Sequence, residues 1–260
     1  MPNILDQIIA TKHHEVEEAK RLVSLSELEE RIARQGKPKS LRHSLETHRG
    51  GIIAEFKRRS PSKDWIKREA RVEDIIPAYE KAGAAGLSIL TDHQYFGGSL
   101  DDVARARKLT TLPILRKEFV IDAYQLYEAR SVGADACLLI AAAIGAERCK
   151  ELAKVAHEVG LEVVLEVHSL PELEAYSDSV DIIGVNNRNL KVFKTDPQQS
   201  VDLFAHLPQG PLPISESGLL DPLVARRLQE VGYRGFLVGE AFMRTPQPGE
   251  ALAAYIQHLD

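Results

Sequence analysis

Short apolar runs alternate with amphipathic stretches along most of this chain, from residue 52 to its end. Eight of the runs have the length and composition of strands, and they are residues 52–56, 87–91, 114–117, 136–140, 162–167, 182–185, 212–215 and 236–238. The stretches between them place apolar residues at helical spacing, and several end in the glycine that favours a helix C-terminus. Because strands joined by helices are parallel, this order predicts an α/β fold, and eight units predict a closed (βα)8 TIM barrel.

Residues 1–48 precede the first predicted strand and form the N-terminal helical extension of a single predicted domain, residues 1–260. Apolar residues recur at helical spacing over residues 4–21 and 26–34, and Ser26 with Glu29 has the spacing of a capping box. The pattern therefore predicts two helices before the barrel. An open doubly wound sheet is the alternative fold, but the Gly-x-Gly-x-x-Gly turn that favours it does not follow the first strand.

The composition is that of an ordinary globular protein, with 260 residues, 44% hydrophobic residues and a formal net charge of -5. This charge argues against nonspecific nucleic-acid binding, which depends on clustered cationic surface. No apolar stretch has the length of a membrane span, and the N-terminus lacks a signal-peptide pattern. Cys137 and Cys149 have neither disulfide nor metal-ligand spacing, so we expect two core thiols and a cytoplasmic protein.

Charged and polar residues stand at the ends of the predicted strands, where a barrel of this kind has its active site. Glu55 and Lys57 share a strand face with buried neighbours, and so do Lys117, Glu166 and Arg188. One buried ion pair is explained by structure alone, but several charges directed at one cavity favour a functional site.

Three further charged residues fall on the opposite strand face or lie in turns, and we expect them to be salt-bridge partners that point away from the cavity. They are Arg116, Glu118 and Glu216.

Two glycine-bearing turns follow the last two predicted strands. They are Glu216-Ser217-Gly218 and Gly239-Glu240, and each leads into a helical start. Barrels of this class commonly bind phosphate through backbone amides of these two loops. The turns therefore predict a phosphate site, to which Ser60 could add a hydroxyl.

These residues closely resemble the indole-3-glycerol phosphate synthase family of tryptophan biosynthesis, over nearly the whole chain. The resemblance is carried by the blocks Glu55-Phe56-Lys57-Arg58-Arg59-Ser60-Pro61-Ser62, Lys117-Glu118-Phe119, Leu165-Glu166-Val167-His168, Gly184-Val185-Asn186-Asn187-Arg188-Asn189-Leu190, Ser215-Glu216-Ser217-Gly218, and Leu90-Thr91-Asp92 with Phe96-Gly98-Ser99. The first and fourth blocks are specific, whereas many phosphate-binding barrels share the glycine turns. The resemblance also implies the barrel and its N-terminal helical extension.

The resemblance implies a carboxy-lyase that closes the ring of 1-(2-carboxyphenylamino)-1-deoxyribulose 5-phosphate with loss of carbon dioxide and water. Lys117 resembles the general acid for ring closure, and Glu166 the carboxylate that stabilises the cationic intermediate and handles a proton. Lys57, with Glu55 as its partner, would hold the anthranilate carboxylate and serve in dehydration. Asn186 also matches a position of the catalytic set.

Substrate-binding positions follow from the same resemblance. Arg188 matches the region of the sugar and carboxylate, and the phosphate site is matched by Ser60, Gly218, Gly239 and the backbone of Glu240. Glu216 and Ser217 would line the pocket nearby. Phe119, Leu139 and Ile140 would supply apolar walls for the aromatic ring, although Leu139 and Ile140 are equally well explained as core residues.

The expected partner is a small phosphorylated molecule, with no metal, no organic cofactor, no nucleic acid and no membrane. Other enzymes of the tryptophan pathway are further candidate partners, and the chain is expected to be a monomer or a weak homodimer. The alternatives are a related isomerase barrel of the phosphoribosylanthranilate isomerase type and a non-catalytic barrel that binds a phosphate ligand. The isomerase reaction calls for an Asp and Cys pair, which the lysine-rich strand ends do not favour.

Overall fold

The structure is a computed structural model that describes residues 3–61, 63–189 and 194–259. Ser62 and Leu190, which belong to the two most specific motifs, lie outside the described residues. A closed barrel of parallel strands forms the centre of the fold, and its strands are adjacent in chain order. The barrel strands are β1 (Ile52–Phe56), β4 (Gly86–Leu90), β5 (Ile114–Lys117), β6 (Ala136–Ile140), β7 (Glu162–Val167), β8 (Ile182–Asn186), β9 (Leu212–Glu216) and β10 (Gly235–Val238).

This architecture confirms the predicted (βα)8 barrel, and each strand boundary lies within one residue of the predicted one. The helices are α1 (Ile4–Leu22), α2 (Leu25–Ala33), α3 (Leu41–Thr47), α4 (Val72–Lys81), α5 (His93–Phe96), α6 (Leu100–Arg107), α7 (Ala123–Ser131), α8 (Ala141–Ile144), α9 (Ala146–Glu158), α10 (Gln198–Phe204), α11 (Pro222–Val231), α12 (Glu240–Met243) and α13 (Pro248–Gln257). The pattern of apolar runs located the strands because parallel strands are buried on both faces.

Strand alternation divides the core into two layers. One layer fills the barrel interior and includes Ile53, Leu115, Val164 and Ile214. The other lies between the strands and the surrounding helices, and Ala54, Cys137 and Leu139 belong to it. Side chains that continue the inner faces beyond the last interior layer therefore emerge at the C-terminal mouth of the barrel.

The N-terminal extension differs from its prediction, because three helices precede β1 instead of two. Helix α3 begins after Ser40, whose side chain accepts a hydrogen bond from the backbone N–H of His43. Leu41 and Leu45 of α3 are buried and pack into the interior layer, at the end of the barrel opposite the mouth. The four-residue spacing of these leucines after a serine cap was the available signal.

A small antiparallel hairpin follows β1 and was not predicted. Its strands are β2 (Arg59–Ser60) and β3 (Asp64–Trp65). The Trp65 ring lies 5.6 Å from the guanidinium of Arg59 and 4.7 Å from that of Arg68, so two cations cover it. A Cβ atom at Gly97 would lie 2.9 Å from the Trp65 ring, so the hairpin packs closely on the loop after β4.

Helices of membrane-spanning length and apolarity are absent from the part of the chain that the structure describes.

Candidate active site

A cavity of about 600 Å³ opens at the C-terminal mouth of the barrel. Its lining includes side chains from β1, β5, β7, β8 and β9 and from the loops after β1, β9 and β10. All the predicted site residues except Leu139 lie on this lining. Residues distant in the sequence meet here because parallel strands present their C-terminal ends at one face.

Lys117 occupies the centre of the charged wall. From the end of β5, its ammonium donates to Glu166 on β7 at 2.9 Å and to Glu216 on β9 at 2.5 Å. Asn186, at the end of β8, donates to the other oxygen of Glu166 at 3.0 Å. One cation is thus held between two buried carboxylates, and 12% of its side-chain surface still faces the cavity.

The charge balance of this cluster sets its protonation. Burial opposes the charge of Lys117, but the carboxylates of Glu166 and Glu216 outweigh it and raise the pKa of the ammonium. Burial also acts against ionised Glu166, yet Lys117 and His168 together hold the pKa of Glu166 below its usual range. The cluster is therefore built to keep Lys117 protonated and Glu166 ionised at neutral pH.

Glu216 behaves differently from Glu166. Burial and the neighbouring Glu166 carboxylate raise the pKa of Glu216. Its Oε1 atom is buried and has no hydrogen-bond partner among the described residues, which further disfavours a full negative charge. Glycine at position 184 leaves room for it, because a Cβ there would lie 2.9 Å from Glu216 Oε1. A proton is therefore retained on Glu216 more readily than on Glu166.

Glu55 and Lys57 form the second ion pair of the wall, at the end of β1. Glu55 is buried and accepts a hydrogen bond from Lys57, whose side chain faces the cavity. Glu55 is also close enough to Lys117 to contribute to its raised pKa, so the two pairs form one charged cluster. Gly239 packs directly against Glu55, and a Cβ at this position would collide with the carboxylate.

The loops after β9 and β10 enclose one end of the cavity. Ser217 and Gly218 both have left-handed backbone, with φ of +68° and +74°. A Cβ on Gly218 would lie 2.7 Å from Thr195, so glycine is required for both conformation and space. Ser60 of the hairpin lines this same cavity.

Glu240, the acidic residue at this end, also lines the cavity, and its carboxylate lies 3.5 Å from the ammonium of Lys63. This ion pair offsets the negative charge that Glu240 brings next to the glycine turns.

The prediction that Leu139 lines the cavity was wrong. Leu139 points outward into the layer between strands and helices, because it alternates with Leu138 and Ile140, whose side chains line the cavity. Phe119 lines the cavity as predicted, and its ring centroid lies 6.1 Å from that of Phe96. Phe96 belongs to the motif residues that carry the family resemblance, but no site role was predicted for it, because its helix α5 has only four residues and no apolar periodicity.

Helix α1 completes the apolar wall, which the sequence did not indicate. Ile4, Leu5 and Ile8 line the cavity. The helix is held there by Lys12, a buried residue whose ammonium lies 2.6 Å from Asp92 and 3.2 Å from Glu118.

Glu15 on the same helix α1 lies 2.6 Å from the Lys12 ammonium. Burial opposes the charge of Lys12, but these carboxylates outweigh it and raise its pKa.

The prediction that Arg116 and Glu216 point away from the cavity was correct for Arg116 and wrong for Glu216. Strand β9 extends one residue further than predicted, so Glu216 shares the inner face with Ile214 and reaches Lys117. Arg116 points outward and pairs with Glu128 at 3.3 Å. Glu118 pairs with both Arg116 and Lys12, but it also borders the cavity.

The chain is similar to known proteins in both sequence and fold. The family model described as Indole-3-glycerol phosphate synthase matches residues 5–255. An indole-3-glycerol phosphate synthase of Bacteroides thetaiotaomicron is 54% identical over 259 residues. The alignment covers 100% of this chain and 100% of the relative. One from Dechloromonas aromatica is 42% identical over 97% of this chain and 98% of its own.

Solved structures with similar folds have much lower sequence identity. A mutant tryptophan synthase alpha-subunit from Pyrococcus furiosus has a TM-score of 0.61 at 14% identity, covering 82% of this chain and 98% of its own. A thiamine phosphate pyrophosphorylase from Pyrococcus furiosus has a TM-score of 0.62 at 16% identity, covering 85% and 98%. At this identity the likeness shows the fold alone.

Proposed function

The chain belongs to the indole-3-glycerol phosphate synthase family, and from that premise we propose that its cavity closes the indole ring of 1-(2-carboxyphenylamino)-1-deoxyribulose 5-phosphate. The reaction releases carbon dioxide and water and gives indole-3-glycerol phosphate for tryptophan biosynthesis, so the chain is a carboxy-lyase. The observation that carries the proposal is Lys117, a cavity-facing ammonium held between the carboxylates of Glu166 and Glu216.

The substrate has an anionic group at each end and an aromatic ring, and the cavity offers a matching set of contacts. Ser60, Gly218 and Gly239, with the backbone of Glu240, would hold the phosphate, and all four residues line the cavity. Lys57 and Arg188 face the cavity where they can hold the carboxylate. Two charged ends held apart would fix the orientation of the flexible sugar chain before reaction.

The aromatic ring would lie against the apolar wall. Phe119, Leu138 and Ile140 of the barrel and Ile8 of helix α1 contribute to this surface. Contact with these side chains would exclude water from the ring carbon that reacts, which strengthens the electrostatic interactions around it.

Lys117 is the proposed general acid for ring closure. When the ring carbon bearing the carboxylate bonds to the ketone carbon, the ketone oxygen becomes an alkoxide and takes a proton from Lys117. The raised pKa keeps Lys117 protonated at neutral pH, and an alkoxide is basic enough to accept its proton. The carboxyl carbon then leaves as carbon dioxide, and its bonding electrons return to the ring.

Glu166 is the proposed stabiliser of the positive charge that develops on the substrate nitrogen and ring after carbon-carbon bond formation. The pKa of its carboxyl, held low by Lys117 and His168 against the effect of burial, keeps it ionised for this role. Asn186 fixes the carboxylate through a hydrogen bond of 3.0 Å.

Dehydration completes the aromatic ring. The new hydroxyl leaves as water after it takes a proton from Lys57, and the ring methylene next to the nitrogen gives up a proton to a carboxylate of the cluster, while the nitrogen keeps its own proton. Glu55, which pairs with Lys57, would return a proton to it after each turnover. Lys117 and Lys57 donate one proton each and the methylene returns one, so each turnover takes up one proton from solvent.

The isomerase alternative is not favoured by the described cysteines. Cys137 points into the layer between strands and helices, and Cys149 is buried in α9. Neither thiol lines the cavity, so neither can be half of an acid and base pair there. Burial also raises the pKa of both thiols, which disfavours the reactive thiolate.

We also propose that the protein acts in the cytoplasm. Its two cysteines are free thiols, which is the state that a reducing compartment maintains.

The test is turnover of the carboxyphenylamino sugar phosphate by the purified protein. The expected result is the appearance of indole fluorescence together with one carbon dioxide released per product. Isomerisation of a phosphorylated ribose without carbon dioxide release would support the alternative, and binding without turnover would support a non-catalytic barrel.

A further inference from the structure

A largely buried histidine lies beside Glu166, in the turn that follows β7, and the proposed chemistry gives it no contact with the substrate. His168 follows β7, and its imidazole Nε2 lies 3.4 Å from Glu166 Oε1. Lys117 contacts the other oxygen of the same carboxylate, Oε2, at 2.9 Å. Glu166 is therefore placed between an ammonium and an imidazole. His168 itself lies outside the cavity lining, so its effect on the substrate must pass through Glu166.

Glu172 fixes the orientation of this imidazole. Its Oε2 atom accepts a hydrogen bond from the backbone N–H of His168 at 2.7 Å and lies 3.3 Å from the imidazole Nδ1. Its Oε1 atom accepts from the Ser169 hydroxyl at 2.8 Å. Because an ionised carboxylate only accepts hydrogen bonds, Nδ1 must carry a proton. The ring is thereby turned so that Nε2 faces Glu166.

Whether Nε2 carries a proton decides whether its contact with Glu166 is attractive or repulsive. Nε2 is buried and has no hydrogen-bond partner among the described residues, and Glu166 Oε1 lies 3.4 Å from it. A neutral imidazole would direct a lone pair at a carboxylate oxygen, which is repulsive. A protonated one would form an ion pair that satisfies both groups.

Charged groups from several elements act on the imidazole. Glu166, Glu172 and Glu216 are the anions that act on His168, and they lie on β7, on the turn of 3-10 helix Leu170–Ala175 and on β9. Lys117 is the neighbouring cation, but it is itself neutralised by two of these anions. Burial lowers the pKa of His168, and the carboxylates outweigh this and raise it.

We propose that His168 is a positioning residue, an imidazolium oriented by Glu172 that holds Glu166 in place and keeps it ionised for the reaction. The proposal rests on the proposed function for its catalytic consequence, but the Glu172–His168–Glu166 arrangement is a property of the free protein. The arrangement predicts that Glu166 is always ionised. It also predicts that Glu216 is the carboxylate that carries the exchangeable proton.

The first test observes His168 directly in the wild-type protein without substrate. Imidazole 15N shifts, measured between about pH 5 and pH 9, should show both nitrogens of His168 protonated at neutral pH. They should also show Nδ1 protonated throughout. A neutral imidazole at neutral pH would overturn the proposal, whether or not the protein turns over the substrate.

The second test measures the pH profile of kcat/KM for His168→Gln. Without the imidazolium, the pKa of Glu166 rises, so the acid limb should move upward by about one pH unit. The loss of activity should be about tenfold on the acid side and should shrink as pH rises. KM should change less than kcat. A uniform loss at every pH would indicate a merely structural role and would also overturn the proposal.

Two further variants complete the test. Glu172→Gln should shift the acid limb in the same direction by a smaller amount, since it leaves the imidazole present but less well oriented. His157→Gln is the matched control, because His157 pairs with Asp181 at 2.9 Å on the outside of the barrel and should leave the profile unchanged. If the wild-type protein does not release indole product, the proposed function fails, and the 15N measurement still decides the fate of His168.

Discussion

Two buried lysines of this protein have nearly the same surroundings and different consequences. Lys12 on helix α1 and Lys117 on β5 are each held by two or more carboxylates, and the pKa of each is raised against the effect of burial. The side chain of Lys12 is 2% exposed and lies outside the cavity lining, whereas that of Lys117 is 12% exposed and faces the cavity. A buried ion pair alone is therefore no sign of catalysis. Access to a space that can hold a substrate makes the difference.

The partners of the two lysines explain this difference in more detail. Asp92, which lies 2.6 Å from Lys12, also accepts hydrogen bonds from the backbone of Tyr95 and Phe96, so it is committed to the loop after β4. Asp92 Oδ2 and Glu216 Oε1 both lack a hydrogen-bond partner among the described residues. Asp92 Oδ2, however, faces the Lys12 ammonium, whereas Glu216 contacts Lys117 through its other oxygen, Oε2, and leaves Oε1 without a cation. One cluster is closed by its own contacts, and the other can still exchange a proton.

The largest expected effect is on the catalytic side of the comparison. Lys117→Ala should lower kcat by about 10³-fold, because a general acid acts in the transition state, while KM stays within about tenfold. The measurement is steady-state kinetics by indole fluorescence. Normal turnover in this variant would remove Lys117 from the mechanism and would leave both lysines as structural groups.

Lys12→Met tests the structural side. Removing one partner of a buried ion pair leaves uncompensated charge, so the free energy of unfolding should fall by about 3 kcal/mol. Because the pKa of Lys12 is higher in the folded state, its contribution is fully present below the unfolded value of 10.5 and is lost only as pH rises through the folded value. The deficit, measured by denaturant titration, should therefore be constant between about pH 6 and pH 9.

For the same variant, kcat should remain within about threefold of wild type, since Lys12 does not contact the reacting atoms. A loss of kcat as large as that of Lys117→Ala would contradict the distinction between the two lysines.

Glu166→Gln and Glu216→Gln compare the two carboxylates of Lys117. Glu166→Gln should lower kcat by about 10²-fold, because it removes a charge that the reaction requires. Glu216→Gln should have a smaller effect that grows with pH, because the amide resembles the protonated carboxyl that burial and Glu166 favour. The check is the pH dependence of kcat for both variants. If Glu166→Gln changes only KM, Glu166 belongs to binding.

The smallest expected effect on stability is that of substituting Lys20, which lies on the same helix as Lys12 but is exposed. Its ammonium lies 3.0 Å from Asp122, and its side chain is 37% exposed. Because water and salt screen this pair, Lys20→Met should lower the free energy of unfolding by less than about 1 kcal/mol. A thermal unfolding scan in low and high salt measures it, and a cost equal to that of Lys12→Met would show that burial does not separate the two pairs.

The sequence predicted the barrel and most of the charged wall because both depend on local patterns. A continuous apolar run locates a parallel strand, and alternation then assigns Lys117 and Glu166 to the inner face. The same rule gave the wrong face for Glu216 because it was placed beyond the end of its strand. Leu139 was assigned to the cavity by family resemblance, although alternation within β6 places it outside.

The features that were missed depend on contacts between distant parts of the chain. Nothing near Lys12 in the sequence indicates that Asp92 and Glu118 will surround it, so the place of helix α1 on the cavity could not be predicted. The contact between His168 and Glu166 is close in sequence, but its function depends on the orientation that Glu172 imposes. Local periodicity does not contain this geometry.

The ion pairs of Lys12 have a consequence for the order in which the protein assembles during synthesis. Helix α1 leaves the ribosome before two of the carboxylates that hold it, Asp92 and Glu118, which are added only after several strands have followed. Until those strands have been synthesised, Ile4, Leu5 and Ile8 of helix α1 have no barrel to pack against. One wall of the substrate cavity is therefore supplied by a segment that is synthesised before the strands it covers.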